Sequence, residues 1–105
     1  MDKNICGLTP EKIEELRTKH GFLILGTVKH GNKEYQAIFK EPSYQVLEAT
    51  RKVQKNNDIQ GAKAMYNNCV VIADKAIEDR DYLKIKAAES IGKHLQSFQV
   101  EVKNL

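Results

Sequence analysis

The segment AIFKEPSYQVLEATRK, Ala37 to Lys52, changes period in its middle. Up to Lys40 its residues alternate as in a β-strand. From Ser43 onward its apolar residues recur at helical spacing. Pro42 marks the switch, because proline has no N–H to give to a strand ladder. Ser43 is placed to cap the helix that follows, with Val46, Ala49, Thr50 and Val53 in one sector and Leu47 at its margin. The segment contains no obvious nucleophile, metal ligand or phosphate loop. It reads as a corner between a strand and a helix that runs to about Lys55.

Upstream of the corner, FLILGTVKHGNKEYQAIFKEP reads as a β-hairpin. Phe22 to Val28 is rich in strand formers, and His30, Gly31 and Asn32 supply the turn. Tyr35, Ala37 and Phe39 share one face of the second strand, while Gln36, Ile38 and Lys40 share the other. A lone hairpin is marginal in water, so the Tyr35/Ala37/Phe39 face is expected to pack on helices. Before the hairpin, LTPEKIEELRTKHGF carries Thr9 as N-cap, Pro10 at the first helical position and Gly21 as a C-terminal stop. Ile13 and Leu16 give that helix an apolar edge.

Downstream, Asn56 to Asp58 breaks the helix after the corner. A third helix is expected from about Ile59 to Ala73. Ile59, Ala62, Tyr66, Cys69 and Ala73 form its stripe, and Met65 and Val70 widen it. DKAIEDRD is a polar connection with room for a short helical turn. A fourth helix is expected from about Tyr82 to Ser97, with Ile85, Ala88, Ile91, Leu95 and Phe98 on one side. The final FQVEVKNL alternates like a strand. The expected fold is therefore one α+β domain over residues 1–105: an N-terminal helix, an antiparallel hairpin and about three helices packed on it.

The composition fits this. The chain has 105 residues, 41% hydrophobic and 30% charged, which is too apolar for a disordered chain. So small a domain gains stability from a partner or from self-association. The net charge of +3 comes from basic residues interleaved with acids, without a clustered basic run, so the charge permits nucleic-acid binding but does not argue for it. Met1 to Pro10 lacks the apolar core of a signal peptide, and no apolar run is long enough to span a bilayer. A cytoplasmic location is expected, with Cys6 and Cys69 as free thiols.

No residue pattern points to an enzyme, a cofactor or a metal. His20, His30 and His94 belong to a helix end, a turn and a helix, and are not spaced as metal ligands. Cys69 lies on an apolar helical stripe, where a thiol acts as a small hydrophobe. The acids of DKAIEDRD lack the ligand spacing and the glycine of a calcium loop. GFLILG fits neither glycine-rich phosphate motif. Arg51, Lys52 and Lys55 put positive charge on the helix after Pro42, without the interleaved aromatics of a nucleic-acid site.

The order of these features resembles small bacteriophage and prophage proteins of the tail assembly chaperone type. The resemblance rests on the helix end at Lys19–Gly21, the hairpin, and the strand exit Tyr35, Ala37, Phe39, Lys40 and Pro42. A second match surrounds Asn68 and Cys69. Val70 to Asp74 departs from the pattern, which carries an aromatic residue and a Gly-Asp pair there. The resemblance implies a bacterial host cytoplasm and a non-enzymatic role in virion assembly: binding the tape-measure protein and keeping its long helical body soluble. Exposed parts of the C-terminal helices would supply the groove, with Tyr66 and Val70 as candidate partner-binding residues. Core packing accounts for those two equally well. Tyr35, Ala37, Phe39, Pro42 and Cys69 are expected to be structural. The alternative is a small nucleic-acid-binding or regulatory phage protein.

Overall fold

A computed structural model describes residues 5–105. The first helix, α1, spans Pro10–His20, and Thr9 Oγ1 accepts from the Lys12 amide at 3.3 Å. Strands β1 (Leu23–His30) and β2 (Lys33–Lys40) form an antiparallel hairpin in register from Leu23↔Lys40 to His30↔Lys33. Its turn is Gly31-Asn32. Gly31 has φ +61° and Asn32 does not have positive φ, the requirement of a type II′ turn, whose twist matches the flanking strands. β2 ends at Lys40, two residues before Pro42.

Beyond the corner, α2 spans Tyr44–Asn56 and is capped by Ser43, whose Oγ accepts from the Val46 amide at 3.2 Å. Asn57 then closes one helix and opens the next. Its N–H donates to the Val53 carbonyl, and its side-chain oxygen accepts from the amides of Ile59 and Gln60. A single residue thus turns the chain into α3, Asp58–Cys69.

The third helix does not reach Ala73. It stops at Cys69, and Val70–Ala73 is a third strand, β3, antiparallel to β2, giving the sheet order β1-β2-β3. The helical stripe and the β-branched run Val70-Val71-Ile72 overlap in sequence. The open edge of β2 decides between them, because pairing satisfies backbone groups that a longer helix would leave on the sheet edge. The register slips between Ile38 and Phe39, so that Ile38 faces Ile72 and Phe39 faces Val70. A short helix, α4 (Lys75–Glu78), falls within DKAIEDRD, and α5 spans Asp81–Gln96. Among the described residues nothing pairs with FQVEVKNL, and it forms no strand.

The core lies between the sheet and the helices α3, α4 and α5. Ile24, Ala37 and Phe39 project into it from the sheet, to meet Tyr66 and Cys69 of α3, Ile77 of α4, and Leu83, Ala87, Ala88 and Ile91 of α5. Phe39 is fully buried and meets Tyr66 edge-to-face, with ring centroids 5.7 Å apart. Ile38 is buried on the opposite face, where Ile5, Ile13 and Leu25 surround a small cleft. The α2/α3 pair projects from this body: α2 packs chiefly on α3, and α3 on α5. The radius of gyration is 15.1 Å, above the roughly 13 Å of a compact chain of about 100 residues, and the exposed segment after Ser97 also extends the molecule.

Candidate functional site

The projecting helix pair holds the least satisfied apolar surface of the folded helices. On α2, Val46, Leu47, Thr50 and Val53 lie toward α3, yet only Thr50 is buried. Leu47 remains 37% exposed and Val53 39% exposed. Ile59, at the start of α3, is 62% exposed, and Tyr44 opens α2 with its ring in solvent. These residues stay uncovered because α2 rests on one neighbour, so its wide apolar sector has only α3 to bury it. The helices approach closely at Gly61, where a Cβ would fall 2.8 Å from Gln54 Cβ.

The exposed side of α2 is basic. Arg51, Lys52 and Lys55 are all exposed, and Lys52 Nζ lies 3.9 Å from Glu48 Oε1. A pair so exposed adds little stability, and the surface stays open to acidic groups. An apolar sector flanked by lysine and arginine is chemically suited to an amphipathic helix whose polar side carries acids.

Tyr66 and Val70 are not part of this surface. Tyr66 is 4% exposed and sits in the core on Phe39, with Lys84 Nζ 5.9 Å from its ring centroid. Its hydroxyl is buried with no hydrogen-bond partner among the described residues. Burial, and then the nearby Glu78 carboxylate, raise the Tyr66 pKa. Val70 is half-buried as the first residue of β3 and packs against the core. Tyr35 is half-buried, Ala37, Phe39 and Cys69 are fully buried, and Pro42 sits between β2 and α2. The Cys69 thiol lies 3.6 Å from Met65 Sδ, and burial pushes its pKa up, as for an inert core thiol.

A second polar cluster surrounds the backbone of Gln36. The Gln36 amide donates to Asp74 Oδ2 at 2.7 Å, and its carbonyl accepts from the Asp74 amide at 2.8 Å and from Cys6 Sγ at 3.2 Å. Burial, and then the Asp74 carboxylate, push the Cys6 thiol up to about 11. A thiol held protonated is a poor nucleophile, so this cluster pins the N-terminal segment and the exit of β3 to β2. At the far end of α5, His94 Nε2 and Glu41 Oε2 lie 2.6 Å apart and tie the corner to that helix. Among the described residues, no group of three or more His, Cys, Asp and Glu side chains is placed to hold a metal ion. None of their helices is long and apolar enough to cross a membrane.

Sequence periodicity placed Val53 in a core stripe and Leu47 at its margin. Their exposure depends on α2 projecting instead of lying across the sheet, which periodicity does not encode. The one local signal was Asn57, whose tight turn forces α2 and α3 to pack on each other. No protein-family model matches the chain, and no curated protein or solved structure matches it.

Proposed function

We propose that the protein is a non-enzymatic binding module of the tail assembly chaperone type, which holds amphipathic helices of a tape-measure protein during phage tail assembly. The observation that carries this reading is the uncovered apolar sector of the projecting α2/α3 pair, Leu47, Val53 and Ile59, beside the basic side of α2. A partner helix lying along that sector would bury what the protein's own fold leaves in water. Covering what remains exposed of each side chain contributes a fraction of the roughly 1.5–3 kcal/mol of full burial. The lysines and arginine would orient it by its acidic side.

Co-expression with tape-measure fragments tests the reading. The protein is expected to raise the soluble yield of fragments rich in amphipathic helix and to co-purify with them. Fragments that stay insoluble and unbound would sink the proposal. The alternative, a nucleic-acid-binding or regulatory phage protein, predicts strongly salt-dependent retention on DNA or RNA. The acids interleaved with the α2 cations make that the weaker reading.

A further inference from the structure

We propose that Phe98–Lys103 becomes a fourth strand in a dimer, where each copy lays this segment along the free outer edge of β1 in the other. Phe98, Val100 and Val102 alternate with Gln99, Glu101 and Lys103, the period of a strand with one apolar face. In the single chain this pattern has no use. Val100 is 89% exposed and Val102 86%, and among the described residues none from Gln99 to Leu105 hydrogen-bonds to the rest of the molecule. A strand sequence without a partner is thus present beside a strand without a second neighbour. β1 is eight residues long, and among the described residues it pairs only with β2. A long, open edge is a template for an added strand.

The two faces also match. On β1, Leu23, Leu25 and Thr27 point to the α1 side and Ile24, Gly26 and Val28 to the α5 side. On the α1 side Leu25 is 47% exposed and Leu23 is half-buried. On the α5 side a groove of about 500 Å³ runs along the edge past Ser90 and Lys93, with Lys86 just beyond it. Phe98, Val100 and Val102 of an added strand would cover Leu25 and Leu23. Its Glu101 would face Lys93, while Lys86 is paired with Glu89 at 2.9 Å.

The occupant is a second copy because the chain's own segment leaves in the wrong direction. α5 runs antiparallel to β1: Leu83 and Lys86 lie by Val28 and Lys29, while His94 and Ser97 lie by Leu23 and Leu25. The chain therefore departs at the start of β1. To lie on its own edge it would have to reverse at Ser97–Phe98. The amides there instead continue the helical turn, bonding to the His94 and Leu95 carbonyls, and no glycine or proline follows. A reciprocal exchange doubles the buried area, as a closed two-fold dimer requires.

Sedimentation of the full chain tests this, together with Val100→Pro, a change at an exposed position that removes one strand amide. The wild type is expected to be dimeric at about 100 µM, and the variant to dissociate at least about tenfold more readily, with equal thermal midpoints for the two at dilutions where both are monomeric. A photo-crosslinking phenylalanine analogue at Phe98, in a mixture of isotope-labelled and unlabelled chains, should join Phe98 to β1 of the other chain. A monomeric wild type, a Val100→Pro variant as dimeric as the wild type, or crosslinks confined to one chain or to another surface would overturn the proposal.

Discussion

α5 and α2 are both amphipathic helices, yet their apolar residues meet different fates. On α5, Leu83, Ala87, Ala88 and Ile91 are all buried, because the helix lies across the sheet with α3 and α4 beside it. On α2 only Thr50 is buried, and Leu47 and Val53 stay more than a third exposed. α2 is the more polar helix, and it also packs chiefly on α3 alone, whereas α5 packs on β1, α3 and α4. A stripe with several neighbours becomes core, and a stripe with one chief neighbour keeps apolar surface in water.

The largest effects are expected on the α5 side. Phe39→Ala should cost about 3–5 kcal/mol and Ile91→Ala about 2–5 kcal/mol in denaturant unfolding, since each empties a fully buried site. Leu47→Ala should cost well under half as much. Equal costs would erase the distinction between core and projection. Between these lies Gly61→Ala, where the new methyl meets Gln54 Cβ and forces α2 away from α3. It is expected to cost about 1–3 kcal/mol and to raise hydrogen exchange in α2 while α5 stays protected. Uniform loss of protection would mean that the projection and the body unfold as one.

Tyr66→Phe should stabilise the protein by about 1 kcal/mol, because it removes a buried hydroxyl without a partner and keeps the ring on Phe39. Destabilisation in calorimetry would show that the hydroxyl is satisfied. The smallest effect concerns Cys6. Its pKa is higher in the folded chain than the ordinary 9.0, so its contribution to stability is complete below pH 9.0 and is lost as pH rises toward about 11. The stability difference between wild type and Cys6→Ser should be constant from neutral pH to 9 and shrink above it. At pH 8 the native thiol should alkylate about 100-fold more slowly than an unfolded one. Equal rates would contradict the Gln36–Asp74 clamp.

Much of the fold was legible in local signals. Thr9 and Ser43 cap their helices as their positions suggest, Gly31 makes the hairpin turn, and β2 stops just before Pro42. Val70-Val71-Ile72 was misread as helix, because its competing partner, the edge of β2, lies more than thirty residues away in sequence. Of the candidate surface less was legible. Tyr66 has the spacing of a helical surface or a core residue, and only Phe39 packing on it decides for the core. Leu47 and Val53 have the spacing of core residues, and only the projection of α2 exposes them.

The most direct test of the uncovered α2 sector as a partner surface is a double variant, Leu47→Asp with Val53→Asp, titrated calorimetrically with an amphipathic helix from a tape-measure protein. The wild type is expected to bind, and the variant to bind at least about 100-fold more weakly, a loss of about 2.7 kcal/mol, while its α5 amides stay as protected from exchange as those of the wild type. Binding that survives both aspartates, or a wild type that binds no such helix, would contradict the account.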